Sequence, residues 1–212
     1  MKSVLILLLL FIGLYGGATS ELDSIKAVAN NTSENDSLRL EALLVLSSDI
    51  ALVEDVDTML VYIDKLFDFS IKKQSRENQV EALYFKGTAY LMIQEFESAA
   101  VEFKKCANLA SRYDLKEREG YSYLNLAGTY AQQGDFLKAI KVHHLCREAF
   151  NEAKDSVGFA GSFLNEGIIH AERKNYISAI DCFRESKSMF ELVGHERGYA
   201  LSILNLGAVY TY

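Results

Sequence analysis

One feature limits this chain more than any other: its residues recur in phase every 40 positions. Gly87, Ala127, Gly167 and Gly207 form one column, and Tyr90, Tyr130, His170 and Tyr210 form another. Phe96, Phe136 and Tyr176 keep step, as do Ala99, Ala139 and Ala179, then Phe103, His143 and Phe183, and finally Asn125, Asn165 and Asn205. A period of this length marks a stacked array, in which each unit buries its apolar face against the next. Proline is absent from all 212 residues. Proline is the strongest helix breaker, so its absence points to a chain that is nearly all helix. With 50% hydrophobic and 24% charged residues, the composition excludes a disordered chain and a polytopic membrane protein. The net charge is −7, and no basic run interrupts the acidic balance, which argues against binding nucleic acid.

Each 40-residue unit reads as two helices. In the unit at 117–156, Asp114 followed three residues later by Glu117 predicts a helix start with a capping box. Tyr123, Leu126, Ala127 and Tyr130 then recur at helical spacing. Gly134 marks the break and Asp135 the next cap. Phe136, Ala139, Ile140, His143 and Cys146 form the apolar face of the second helix. The small residue at 87, 127, 167 and 207 is expected to let helices approach closely, facing the alanine at 99, 139 and 179. Cys106, Cys146 and Ser186 share a column that wants a small side chain, so the cysteines are core fillers and not a pair. Units are expected at 77–116, 117–156 and 157–196. A degenerate unit at 36–76 precedes them, starting near Asp36-Ser37 and carrying Ser47, Ile50, Val56, Met59 and Ile63 in phase. Residues 21–35 read as a linker or a short helix, and 197–212 as the first helix of a further unit. Because that helix has no partner after it, more protein is expected to follow Tyr212.

Residues 1–20 read as a secretory signal peptide. Lys2 supplies the charge, Val4 to Tyr15 the apolar run, and Ala18 and Ser20 the small positions before cleavage at Glu21. The alternative is an uncleaved anchor, although the run is shorter than the ~20 residues a spanning helix needs. The expected location is therefore periplasmic or extracellular, with membrane contact only through such an anchor or a segment beyond the chain. Three cysteines do not make a disulfide framework.

The stretch Leu124-Asn125-Leu126-Ala127-Gly128-Thr129-Tyr130, followed by Gln133-Gly134-Asp135-Phe136-Leu137-Lys138-Ala139-Ile140, resembles the tetratricopeptide repeat, and Leu204 to Tyr210 is a second clear copy. The family's usual unit is 34 residues. The longer unit here is similar to that of kinesin light chains and some bacterial regulators. The family's proline after the second helix is missing, and Ser111, Asn151 and Glu191 stand there. The resemblance implies an all-α fold: an α-solenoid of antiparallel helix hairpins forming a right-handed superhelix.

Motifs for catalysis are wanting. The chain has no phosphate loop, no GxGxxG, no CxxC, no HExxH and no GxSxG. His143 and Cys146 share a helix face, which would suit a metal or a nucleophile with its base, but both occupy packing columns. His170 replaces a tyrosine as a core or rim residue, and His195 lies in a turn where it should be solvated. Lys72, Lys73 and Arg76 read as a solvated helix end. No catalytic residue, metal ligand or cofactor is assigned.

The informative surface is the concave face lined by the first helix of each unit. By the family's phase, Asn125, Asn165 and Asn205 point into it, with Phe85 in the equivalent place of the unit before. An amide offers donors and an acceptor, so a ladder of asparagines could hold a peptide backbone of any sequence. It could equally bond neighbouring helix backbones and tune stacking. Tyr84, Tyr121, Leu124, Leu164, Leu201 and Leu204 follow on this face, then Thr88, Gly128, Ile168 and Ala208. The family's carboxylate clamp has no counterpart here, so the expected ligand is a protein or peptide segment with apolar side chains. Exported arrays of this kind resemble the N-terminal sensor halves of bacterial signalling proteins, notably membrane histidine kinases of the Bacteroidetes type and adenylate cyclases. A free-standing periplasmic adaptor or chaperone-like assembly factor is the alternative.

Overall fold

The computed structural model describes residues 18–49 and 55–211. Most of the leader, Ile50 and Tyr212 lie outside the described residues. All regular structure among those described is helical: α1 (Ala18–Asn30), α2 (Asp36–Ser48), α3 (Val56–Lys72), α4 (Arg76–Met92), α5 (Phe96–Arg112), α6 (Lys116–Gln132), α7 (Phe136–Ala153), α8 (Ser156–Glu172), α9 (Tyr176–Leu192) and α10 (Glu196–Val209). From α2 onward, helices begin at 36, 56, 76 and so on to 196, one every 20 residues. The 40-residue period is thus two equal helical steps, an α-solenoid of helix hairpins. The chain divides into two compact units between Ile93 and Gln94.

The 20-residue step is set at the turns. Gln74, Gln94, Asp114, Gly134, Lys154, Lys174 and Gly194 all have φ between 54° and 76°. Just after this left-handed residue, the next amide reaches back five residues: Leu115 to the Ala110 carbonyl, Asp135 to Tyr130, Asp155 to Phe150, Asn175 to His170 and His195 to Phe190, each at 2.9 Å. This closure satisfies carbonyls at the helix C-terminus and reverses the chain. It ends each helix without the proline that the repeat family uses. Asp114 is therefore one of the left-handed residues and not a cap. Leu115 holds the cap position and its side chain makes no capping bond, so the expected capping box is replaced by the turn. Asp135 does cap, accepting from the Lys138 amide at 3.2 Å. The cap of α2 is Asn35, one residue before the expected start, accepting from Ser37.

In the first unit, α1 to α4 pack as neighbours around Ile25, Leu43, Leu46, Met59, Ile63 and Leu66, with Ala82 and Ala89 from α4. The segment at 21–35 is helix to Asn30, and it is tied down. Arg39 Nε donates to the Ala29 carbonyl at 3.2 Å and its guanidinium lies 4.9 Å from the Phe69 ring centre. Lys65 bonds the Asn30 side chain at 2.6 Å.

In the second unit, successive helices pack, and α6, α8 and α10 also touch one another as a row of first helices. The seams between hairpins are built by size matching. Phe150, fully buried, lies between Gly120 and Gly158; a Cβ on either glycine would come within 2.6 Å of the ring. Phe190 repeats this against Gly198. Forty residues before Phe150 and Gly158, the column holds Ala110 and Arg118, so ring and glycine change together. At Gly167, the atoms nearest a Cβ belong to Phe183, 2.6 Å away, and not to Ala179. Gly167 thus makes room for a ring and not for the facing alanine expected from sequence, and at Gly207 a Cβ would meet nothing within 4 Å. A second, polar line runs beside this one. Ser122 donates to Cys106 Sγ at 3.0 Å, and Ser186 and Ser202 pair at 3.0 Å, all fully buried. Cys106 and Cys146 are buried thiols and are not joined to each other.

One buried group breaks the apolar pattern. His143 fills the column of Phe103 and Phe183 and is fully buried. Burial pushes its imidazole down to about 4 against the pull of Glu166, with Arg147 and His144 adding to the shift. In the unfolded chain it titrates near 6.5. Protons therefore favour the unfolded state between these values. The contribution is complete above about pH 6.5 and is lost as pH falls toward 4, by about 3 kcal/mol at the limit. His143→Phe, which restores the column residue, should flatten the acid side of a pH–stability curve measured by urea unfolding.

The turns yield a second expectation. A Cβ at Gly134 meets nothing within 4 Å, so Gly134→Ala should cost only backbone strain, about 1 kcal/mol. Lys174, at the same place one unit on with φ 60°, should gain a similar amount on Lys174→Gly. Opposite shifts in thermal midpoint would register both.

Candidate functional site

The expected groove residues divide between the two units. Tyr84 lies on α4 in the first, half-buried, its ring edge-on to Phe85 at 6.4 Å. The remainder lie in the second unit, and the structure treats them unequally. Leu164 is 8% exposed and packs into the core with Phe183, so it offers no groove surface, whereas Leu204 is 68% exposed. Leu124 is half-buried. The Tyr121 ring stands edge-on to Phe150 at 4.9 Å, which fastens it to the glycine seam. The leucine column is thus half-buried on α6, buried on α8 and exposed on α10.

The three asparagines also differ. Asn205 donates through its amide to the Leu201 carbonyl of its own helix at 2.9 Å, the local bonding that was the alternative to a ladder. Asn165 lines a hollow of about 190 Å³ between α6 and α8, with Gly128, Ala131 and Gln132 on one side and Ile168, Ile169 and Glu172 on the other. Its floor is His143, whose Nε2 has no hydrogen-bond partner. The other ring nitrogen lies 3.4 Å from the Ser162 hydroxyl. An orphaned buried acceptor or donor is costly unless something satisfies it. Gly128 leaves the mouth open, and Ile168 is exposed beside it. The hollow can therefore take an apolar side chain against Ile168 while Asn165 supplies the polar contact. Asn165, Gly128 and Ile168 follow from the repeat phase. His143 as the floor does not; the one trace in sequence is a ring nitrogen placed in a phenylalanine column.

A larger hollow, about 370 Å³, opens by the α7–α8 turn among Phe150, Phe159, Met189 and Leu192. Its carboxylate, Asp155, is already committed to capping α8, accepting from Gly158 at 2.9 Å. Asn151, Lys154 and Ser156 also line it.

Beside His143 runs a line of polar side chains. Arg147 Nη1 bonds Glu166 Oε2 at 2.5 Å and its guanidinium sits 4.5 Å from the Phe163 ring centre. His144 Nδ1 lies 2.9 Å from Arg147 Nη2. Glu166 Oε1 is 3.7 Å from His170 Nε2. His143 and Cys146 do not form a nucleophile and base. Burial pushes the Cys146 thiol up to about 12, and its sulfur faces the Gly120 carbonyl at 3.4 Å. His195 is not solvated as expected. Its Nδ1 accepts from the Gly198 amide at 3.0 Å as the cap of α10, and its ring lies 5.1 Å from Phe190. Among the described residues, no helix is long and apolar enough to cross a membrane.

Neither a protein-family model nor a curated protein sequence matches the chain. Solved structures do. A signal transduction ATPase with numerous domains and a tetratricopeptide repeat sensor, from Pyrococcus horikoshii, superposes with a TM-score of 0.76 at 13% identity, over 98% of this chain and 32% of its own. The apo form of RapI gives 0.73 at 14% identity, over 90% of this chain and 70% of RapI. A putative kinesin light chain with nearly identical TPR-like repeats, from Podosopora anserina, gives 0.66 at 12% identity, over 89% and 93%. At such identities the likeness is one of fold, and the fold is that of TPR-like repeat proteins: an α-solenoid of helix hairpins.

Proposed function

We propose that this chain is a non-enzymatic protein-interaction scaffold, and that the hollow between α6 and α8 receives an extended protein or peptide segment. One observation carries the reading. A hollow on the row of first helices joins an open glycine, an exposed isoleucine and an asparagine over the buried His143 ring. The Asn165 amide can pair with a ligand backbone through both its donor and its acceptor, and Ile168 supplies an apolar contact. Burial holds His143 neutral above about pH 4, so the ring beneath the hollow carries no charge at neutral pH.

The wider setting is also part of the proposal. The leader pattern at residues 1–20 supports export, to the periplasm or the outside of a bacterial cell. A repeat array described as a sensor within a signal-transduction protein has the same fold, which supports a sensor role within a longer signalling protein. Binding would then bias an output domain by preferring one of its states.

A displayed library of random peptides, selected on the full chain, tests the groove. Gly128→Arg should lower the affinity of the selected peptides at least tenfold with little change in thermal midpoint, because a Cβ at Gly128 meets nothing within 4 Å. Asn165→Ala should weaken peptides of unrelated sequence by similar factors, since its role is to the backbone. Equal binding by wild type and Gly128→Arg would overturn this site.

A further inference from the structure

Three positions of one repeat unit carry metal-ligating side chains that its sister units do not carry together. Where Lys86, Leu126 and Leu206 stand, this unit has Glu166; where Tyr90, Tyr130 and Tyr210 stand, it has His170; where Glu102 and Val142 stand, it has Cys182. These positions sit on two helices, Glu166 and His170 one turn apart on α8, Cys182 on α9. The structure brings them together. One carboxylate oxygen, one imidazole nitrogen and the sulfur all lie within 4.8 Å of one another. No sister unit carries oxygen, nitrogen and sulfur donors together at these three positions. Chain spacing does not reveal the cluster, because Cys182 lies across the α8–α9 hairpin from the other two.

We propose that Glu166, His170 and Cys182 bind one Zn²⁺ ion, with a fourth coordination position open to water. The donor set is the one zinc prefers, whereas magnesium and calcium take oxygen ligands. A zinc tetrahedron places its ligand atoms about 3.5 Å apart. Glu166 Oε1 and His170 Nε2 are at 3.7 Å, so small side-chain rotations complete the geometry. Glu166 is buried, and its second oxygen is held by Arg147. That leaves Oε1 for the metal and fixes its direction, the outer-shell arrangement that orients ligating carboxylates. Arg147 carries one positive charge. Against it stand Glu166 itself and the carboxylates of Asp181 and Glu185, both near enough to be felt at the Cys182 sulfur. The local balance favours a cation. His170 and Cys182 are half-buried, so an ion can reach them from solvent. On binding, the Cys182 S–H bond breaks, its proton leaves to solvent, and the sulfur forms the bond to zinc with no change of oxidation state.

The test is a Zn²⁺ titration of the chelator-treated full chain by calorimetry, paired with the absorption spectrum of the Co²⁺ form. One equivalent of Zn²⁺ should bind, and Co²⁺ should show a thiolate-to-metal charge-transfer band. Cys182→Val and His170→Tyr install residues that sister repeats already carry in these columns, so circular dichroism should be unchanged. Each should weaken Zn²⁺ at least tenfold, and Cys182→Val should abolish the Co²⁺ band, while Cys106→Ser alters neither. Absence of the band in the wild-type chain, or its persistence in Cys182→Val, would overturn the site, as would equal Zn²⁺ affinity in wild type and both variants. The peptide groove does not depend on this result, since none of the three ligands lines it.

Discussion

The left-handed residue every 20 positions is the constraint on which the structure rests. A helix ends where one residue turns to positive φ and the following amide closes back onto the last turn. Seven such turns at constant spacing give helices of almost one length, and helices of one length bring the same columns to the same seams. Phe150 against Gly158 and Phe190 against Gly198 occur at one register because the turns between them, at Lys154 and Gly194, fall in step. Shift one turn by a residue and each ring in the following hairpin would meet a backbone carrying a Cβ. Five of the seven residues are not glycine, so most of these turns are held in place by the packing on either side of them, at about 1 kcal/mol of backbone strain apiece.

That regular frame explains where function concentrates. A seam that follows the column rule is fully occupied: a ring fills the space a glycine leaves, or two small polar groups satisfy each other, as Ser186 and Ser202 do. Departures from the rule are where unfilled chemistry appears. His143 in a phenylalanine column leaves a nitrogen without a partner beneath the groove. Glu166, His170 and Cys182 leave three donor atoms facing one another. Both lie around the 157–196 unit, and Arg147, one turn from His143 on α7, pairs with Glu166. The frame supplies rigidity, and the 157–196 unit supplies Asn165 to the hollow and the three donor atoms to the cluster.

The repeat phase alone made the fold readable, since Tyr130 and Tyr210, or Ala139 and Ala179, could hold step only if the same hairpin recurred. Turn chemistry was less legible. Gly134 announces a left-handed residue, but Lys154, Lys174 and Asp114 do not, because nothing intrinsic to lysine or aspartate demands positive φ; the closure of the hairpin does. That is why Asp114 reads as a cap in sequence and is a turn in the structure. The groove was half legible. Asn165 and Gly128 follow from phase, yet Asn205 bonds its own helix and Leu164 turns inward, because equal columns meet unequal neighbours along the array. The His143 floor and the three-donor cluster depend on side chains from adjacent helices meeting, which spacing along one helix cannot express.

If residues forty or eighty apart truly occupy equivalent seams, then one chemical probe should work identically in each. Ser122 faces Cys106, and Ser202 faces Ser186, with 3.0 Å between the paired atoms in both cases. Under mild oxidation, Ser122→Cys should form a disulfide with the native Cys106, and Ser186→Cys with Ser202→Cys should form one eighty residues further on, each read as a tryptic cross-link by mass spectrometry. Formation of both is the result the repeating register requires. A bond at one seam and not the other, or at neither, would show that the register does not repeat and would contradict the account at its base.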